Sequence, residues 1–172
     1  MCIDSAVDAA TGRIGSYPGV VDTVVQLLAS AREALAGAPK EGLGEDRDSR
    51  WRGRRIVRVG EAWHLGVLLL TDDHVLATAE VLRAAEPGRR GYTAESARER
   101  AARRAEALRG GFREGEVVHV GWSVIDAYAV DAGGSSGPLA RIDGVPSVRW
   151  SAAGGYMPLA GYLRERVELL RG

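Results

Sequence analysis

Apolar positions change their spacing several times along the chain, and each change marks a predicted element. Val21, Val24, Leu28, Ala31 and Leu35 recur at intervals of three and four, with Pro18 near the start and Gly37 and Pro39 behind them. That spacing predicts an amphipathic helix over about 19–36. Residues 38–53 run through Pro, Gly, Asp, Ser and Arg with little to bury and are expected to form a loop. Strand character begins at Arg54–Val59 and passes Gly60, a turn or bulge, into the stretch 61–83, EAWHLGVLLLTDDHVLATAEVLR.

That stretch holds two strand-like runs joined by Asp72-Asp73, the pattern of a β-hairpin. Pairing Thr71 with His74 sets Leu65 opposite Glu80 and His64 opposite Val81. Alternation then puts His64, Gly66, Leu68, Leu70, Val75, Ala77, Ala79 and Val81 on one face. Trp63, Leu65, Val67, Leu69, Leu76, Thr78, Glu80 and Leu82 take the other. Both faces are apolar, so the ribbon belongs inside a sheet that is covered twice.

After Pro87 and Gly88 the period returns to that of a helix. Ala94, Ala97, Ala101, Ala105 and Leu108 form one narrow stripe behind Thr93 as N-cap, and Gly110-Gly111 ends it. A stripe this small can approach a backbone closely, and the Gly66, Ala77 and Ala79 face of the hairpin is its expected partner. Residues 116–130 read as a long strand bent near Gly121, with Trp122, Asp126 and Tyr128 on one face. Leu139–Ile142 and Val145–Trp150 flank Asp143-Gly144, a strong hairpin signal, with Pro146 placing its strand at an edge or making it irregular. Leu159, Leu163, Val167 and Leu170 make a closing helix behind Pro158. The sum is an α+β fold with a mostly antiparallel sheet of about five or six strands and three helices. Residues 1–16, without apolar period, are expected to be a flexible tail, and 17–172 a single domain.

Composition narrows the function. The 172 residues carry 23 basic and 23 acidic side chains, so no global field gathers nucleic acid or anionic lipid. Arginine is concentrated at 49–58 and 83–113, but 22 of the 23 basic residues are arginine, a skew that fits a GC-rich genome as well as a binding surface. Nucleic acid is therefore not an expected partner. One cysteine, Cys2, excludes an internal disulfide. The longest wholly apolar run, Val67–Leu70, is far too short for a membrane span, and the start lacks the pattern of a secretory signal. A cytoplasmic protein without a membrane partner is expected.

Candidate chemistry is sparse. Gly133-Gly-Ser-Ser-Gly137 has the G-x-S-x-G pattern, but Pro138 and a hairpin follow where a nucleophile elbow needs a helix, so a plain loop is expected. His64, His74 and His119 are the only imidazoles. A metal triad would need all three or a recruited carboxylate, and the hairpin register sets His64 and His74 on opposite faces. No metal and no cofactor are expected. Three of the four tryptophans fall on predicted strands beside acids and an arginine. Trp63, Glu80, Trp122, Asp126, Arg149 and Trp150 are accordingly the expected ligand-binding residues, since aromatic walls with a few polar groups suit a small polar ligand.

The segments WRGRRIVRVGEAWHLGVLLL, RGGFREGEVVHVGW and DGVPSVRWSAAGGYMPLAGYL, within about 25–172, resemble a small uncharacterised family of high-GC bacteria whose members are often labelled glutaminase. The resemblance implies hydrolysis of glutamine to glutamate and ammonia. It does not extend to a serine enzyme, which needs Ser-x-x-Lys: the only lysine, Lys40, has Gly37 three residues before it. Cys2 behind Met1 is similar to the start of amidotransferases with an N-terminal cysteine, with Ile3 where those have glycine. Two readings stand: a domain that binds a small molecule or a protein partner, and an amide hydrolase.

Overall fold

A computed structural model describes residues 22–87, 94–151 and 153–172. The expected tail, Cys2, Gly88 and the Thr93 cap lie outside the described residues. In chain order the elements are α1 (Val24–Ala34), β1 (Glu41–Ser49), β2 (Gly53–Leu65), β3 (Leu68–Leu70), β4 (Val75–Ala77), β5 (Glu80–Arg83), α2 (Glu95–Arg109), β6 (Val117–Val120), β7 (Ser123–Val124), α3 (Ala127–Asp131), β8 (Ser135–Ser136), β9 (Leu139–Ile142), β10 (Val145–Arg149), β11 (Tyr156–Pro158) and α4 (Leu159–Arg171). The class is α+β, as expected. The described residues hold four helices, a seven-stranded sheet in the order β5-β6-β1-β2-β3-β4-β7, and a second sheet in the order β11-β10-β9-β8. Both sheets are antiparallel except where β1 runs parallel to β6. Among the described residues no helix is long and apolar enough to cross a membrane.

The large sheet curls. β6 and β7 stand apart in it with β1, β2, β3 and β4 between them, yet only Gly121 and Trp122 separate them in the chain. Five steps across a flat sheet cover about 24 Å, whereas three Cα–Cα links reach at most about 11 Å. The run from β6 to β7 must therefore bend back on itself, and Gly121, at φ +71°, makes the corner. Leu43, Ala62, Leu69 and Leu76 pack together on the concave face with Trp122 against them.

Two separate cores cover the convex side. Ile56, Leu82, Ala84, Val118 and Val120 meet Ala107 of α2 and the following Phe112. Trp63, Leu65, Leu68, Leu70 and Val75 meet α1, α3, α4, Leu139 of β9 and Val148 of β10. Helix α1 is fixed at its start by a capping box between Thr23 and Gln26. The Asp131 carboxylate also accepts from Val24 N at 2.7 Å and Val25 N at 3.2 Å, tying α1 to α3.

The eleven strands in two sheets and the four helices of the described residues exceed the expected five or six strands and three helices, because β1 comes from a segment read as loop and α3 from one read as strand. Four further expectations are corrected. Residues 41–49, within the predicted loop, form β1, in the middle of the sheet. The hairpin is two hairpins: Leu70 pairs with Val75 as read from the sequence, but Gly66, at φ +69°, and Val67 turn the chain, so Leu65 pairs with Leu68 rather than with Glu80. This turn swaps the phase, putting Trp63 and Leu65 with Leu68, and His64 with Leu69 and Leu76. The stripe of α2 lies against β2 and β5, with Ala105 and Ala107 buried, while Gly66 lies under the Tyr162 hydroxyl of α4. Finally, the long strand over 116–130 is β6, β7 and α3, because Gly121 breaks it and Asp126 caps the helix, its carboxylate accepting from Ala129 N at 2.9 Å. The Asp143-Gly144 turn is as expected, with Ile142 opposite Val145 and Asp143 at φ +50°. The strand with Pro146, β10, lies between β9 and β11 rather than at an edge; β11 pairs only with Ser147, Val148 and Arg149, so Pro146 needs no donor on that side.

Candidate functional site

Three neighbouring strands carry Glu41, His64 and His119. In the register, Glu41 of β1 faces Ala62 of β2, two residues from His64, and Leu43 of β1 faces His119 of β6. Strand alternation places all three side chains on the concave face with Leu43 and Ala62. Glu41 stands between the two imidazoles: its Oε2 is 2.6 Å from His119 Nε2 and 3.3 Å from His64 Nδ1. The rings meet edge-on, with centroids 4.6 Å apart and planes at 66°. His64 Nε2 lies 3.0 Å from the Gly66 carbonyl oxygen, so the β2–β3 turn orients that ring.

Burial divides the cluster. His119 is fully enclosed, while the Glu41 and His64 side chains are each about one-third exposed, at 33% and 30%. Enclosure pushes the His119 pKa below its ordinary value; the bond to Glu41 acts in the other direction, and the nearby His64 adds to the lowering. His119 Nδ1 is a buried nitrogen with no hydrogen-bond partner among the described residues.

Beside the cluster lies a groove of about 490 Å³. Leu43, the strand partner of His119, contributes to its wall along with Val59, Leu76, Trp122 and Val124. Four acids, Glu45, Glu61, Asp72 and Asp73, stand at this groove. Arg47 neutralises Glu45 at 2.6 Å and Lys40 neutralises Asp72 at 2.8 Å. Glu61 and Asp73 have no salt bridge among the described residues.

The residues expected to bind ligand are dispersed. Trp122 is at the groove, its indole N–H donating to the Gly44 carbonyl at 3.2 Å. Trp63 is buried in the convex core, donating to Ala38 O at 3.1 Å beneath the Lys40 ammonium, so it is on the other side of the sheet from Trp122. Glu80 is bound by Arg103 at 2.7 Å. Asp126 caps α3, Arg149 stands over Tyr156 on the second sheet, and Trp150 follows β10, half exposed. The serine of the G-x-S-x-G pattern lies in β8, which turns directly into β9, and the next serine accepts a bond from Asp126 N at 2.9 Å.

Sequence reasoning missed Glu41 and the groove acids. The expectation of no metal centre weighed three histidines or a recruited carboxylate and placed no carboxylate beside them; the structure joins His64 and His119 to Glu41, from the segment read as loop. A usable signal was the alternation Glu41-Gly-Leu43-Gly-Glu45, a strand pattern disguised by glycines. No family model matches the chain, and neither a curated protein nor a solved structure matches it.

Proposed function

We propose that this is a small-ligand-binding protein whose groove takes an organic cation, an amine or guanidinium on an apolar body. The observation that carries this reading is the pairing of an apolar wall containing Trp122 with Glu61 and Asp73, acids with no salt-bridge partner among the described residues. A cation held there gains from the Glu61 and Asp73 carboxylates, and its apolar body from Trp122, Leu43 and Leu76. The size of the groove favours a small molecule over a protein partner, since small-ligand pockets run from about 300 to 1,000 Å³. Titration calorimetry with tryptamine and phenethylamine against their neutral alcohol analogues, in which a hydroxyl replaces the ammonium, tests it. The cations should bind at least about tenfold tighter, with Glu61→Gln plus Asp73→Asn removing the difference, about 1.4 kcal/mol. Equal binding of cation and alcohol would reject the reading.

A second reading, amide hydrolysis acting on glutamine, is favoured by the two imidazoles sharing one carboxylate beside the groove, a set suited to moving protons or activating water. Its test is ammonia release from glutamine. The activity should be lost in Glu41→Gln; an activity that persists in that variant does not belong to this site.

A further inference from the structure

The proton on His64 can be placed from its neighbours. A carbonyl oxygen only accepts, so the contact to Gly66 O puts hydrogen on Nε2. In a neutral ring Nδ1 is then a bare lone pair, and this lone pair faces Glu41 Oε2 across 3.3 Å. Two electron-rich atoms opposed at that distance call for a positive charge between them. His119 Nε2 reaches the same oxygen, and one ligand atom from each of the three residues can be chosen so that all lie within 4.8 Å of one another.

We propose that Glu41, His64 and His119 bind one divalent transition-metal ion of the zinc class, through His64 Nδ1, His119 Nε2 and the Glu41 carboxylate. Metal–ligand bonds of about 2.0–2.1 Å in a tetrahedron separate the donors by roughly 3.4 Å. The Glu41–His64 spacing is already close to this value, and the Glu41–His119 spacing reaches it by a small rotation of the partly exposed carboxylate. Two imidazoles and one carboxylate suit zinc, cobalt, nickel or iron, and disfavour magnesium and calcium, which take oxygen donors. Gly66 supplies the outer bond that a metal-binding imidazole commonly makes through its other nitrogen. With three protein ligands and two of them one-third exposed, a coordination position remains for water or for a ligand. That is the pattern of a reactive site rather than a closed structural one. The site is independent of the amine reading of the groove.

The competing occupant is a proton on His64, forming a plain ion pair with Glu41, and the experiment separates the two. Untagged full-length chain carrying Cys2→Ser, so that no thiolate competes, is stripped with chelator and titrated with Zn²⁺ by calorimetry and with Co²⁺ by visible absorption. One ion per chain is expected, with the absorption of a four- or five-coordinate cobalt site and no competition from excess Mg²⁺. His64→Gln and Glu41→Gln, both at partly exposed positions, should each weaken Zn²⁺ binding by more than the roughly 10- to 100-fold that outer-shell partners cost. His74→Gln and Glu114→Gln, both at exposed positions outside the cluster, should leave it unchanged. A melting scan of the parent chain with and without Zn²⁺ adds a readout that needs no variant, since binding to the native state raises stability. Absence of a one-to-one site in the parent chain overturns the proposal, as does binding that survives both His64→Gln and Glu41→Gln or that is lost with His74→Gln.

Discussion

Gly110, at the end of α2, lies so close to Ile56 of β2 that a Cβ built on it would stand 1.6 Å from the Ile56 carbonyl oxygen. Backbone meets backbone there, so no side chain can move aside. Its φ of −82° is open to any residue, which leaves contact rather than conformation as the reason for glycine. Gly110→Ala should destabilise the fold by roughly 3 kcal/mol, at the upper end of overpacking costs. Gly161→Ala is the counterpart: that glycine sits inside α4 with nothing within 4 Å of the place a Cβ would take, so alanine should stabilise by about 0.5–1 kcal/mol. Urea unfolding of both variants checks the pair, and similar effects of the two would show that α2 does not dock at Ile56.

The β2–β3 turn depends on α4. The Tyr162 hydroxyl donates to Leu65 O at 2.6 Å and accepts from Val67 N at 2.9 Å, and the ring is 1% exposed. Tyr162→Phe keeps the ring and strands both backbone groups, at a cost of about 1–3 kcal/mol. Amide exchange should also speed up at Val67 more than at Leu69, in the middle of β3. An unchanged melting curve together with unchanged exchange at Val67 would rule out this clamp.

Much of the fold could be read because hydrophobic spacing reports directly which face is buried. Leu28, Ala31 and Leu35 are all buried in the helix region that their spacing predicted, and Asp143-Gly144 turns where that dipeptide should. The signal failed where a strand has no bulk of its own. Gly42 and Gly44 of β1 make room for neighbours: a Cβ at 42 would meet Phe112 at 2.6 Å, and one at 44 would meet Ile56 at 2.4 Å. The apolar matter around those glycines comes from Phe112 behind α2, from Ile56 of β2 and from Val118 and Val120 of β6, so the strand's own residues look like loop. Losing β1 hid Glu41, and losing the Gly66 turn put His64 in the wrong phase, so the cluster could not be assembled from the sequence. The dispersed tryptophans misled for a related reason, since composition alone does not say which side of a sheet a residue faces.

Arg103 of α2 is a hub for three carboxylates. It bonds to Asp46 of β1, to Glu80 of β5 at 2.7 Å and to Glu106 at 3.1 Å, and those bonds outweigh burial in raising its pKa. Glu106 is 6% exposed, and its other cation, Arg54, is at 3.8 Å. Arg103→Met should therefore cost about 2 kcal/mol, less than the loss of a fully buried pair because Asp46 and Glu80 can turn to water. Adding Glu106→Gln should recover part of the loss. If the double variant is no more stable than the single one, the cost lies in packing and not in the stranded carboxylate.

Acid should reveal the same bonds. Bonding to Arg103 holds the Asp46 carboxyl below its ordinary value of 3.8, against some burial. Burial pushes Glu116 upward, but hydrogen bonds from Arg58 and from the Arg113 backbone, with their charges, outweigh it and leave its pKa below 4.5. A carboxyl whose pKa is lower in the native than in the unfolded chain releases its proton more readily when folded. It therefore contributes stability that is complete above the unfolded value and is lost as the pH falls through the native one. Both contributions should be constant above about pH 5.5 and fade below about pH 4.5. Arg58→Met should lower stability at pH 7, and its deficit relative to the parent chain should narrow as the pH falls toward 3, because protonated Glu116 no longer uses the arginine. Urea titrations of both chains at several pH values give the two curves. A deficit that stays the same size down to pH 3 would assign the effect to lost contact of Arg58 with Phe112, whose ring lies 4.6 Å beneath the guanidinium, rather than to the charge on Glu116.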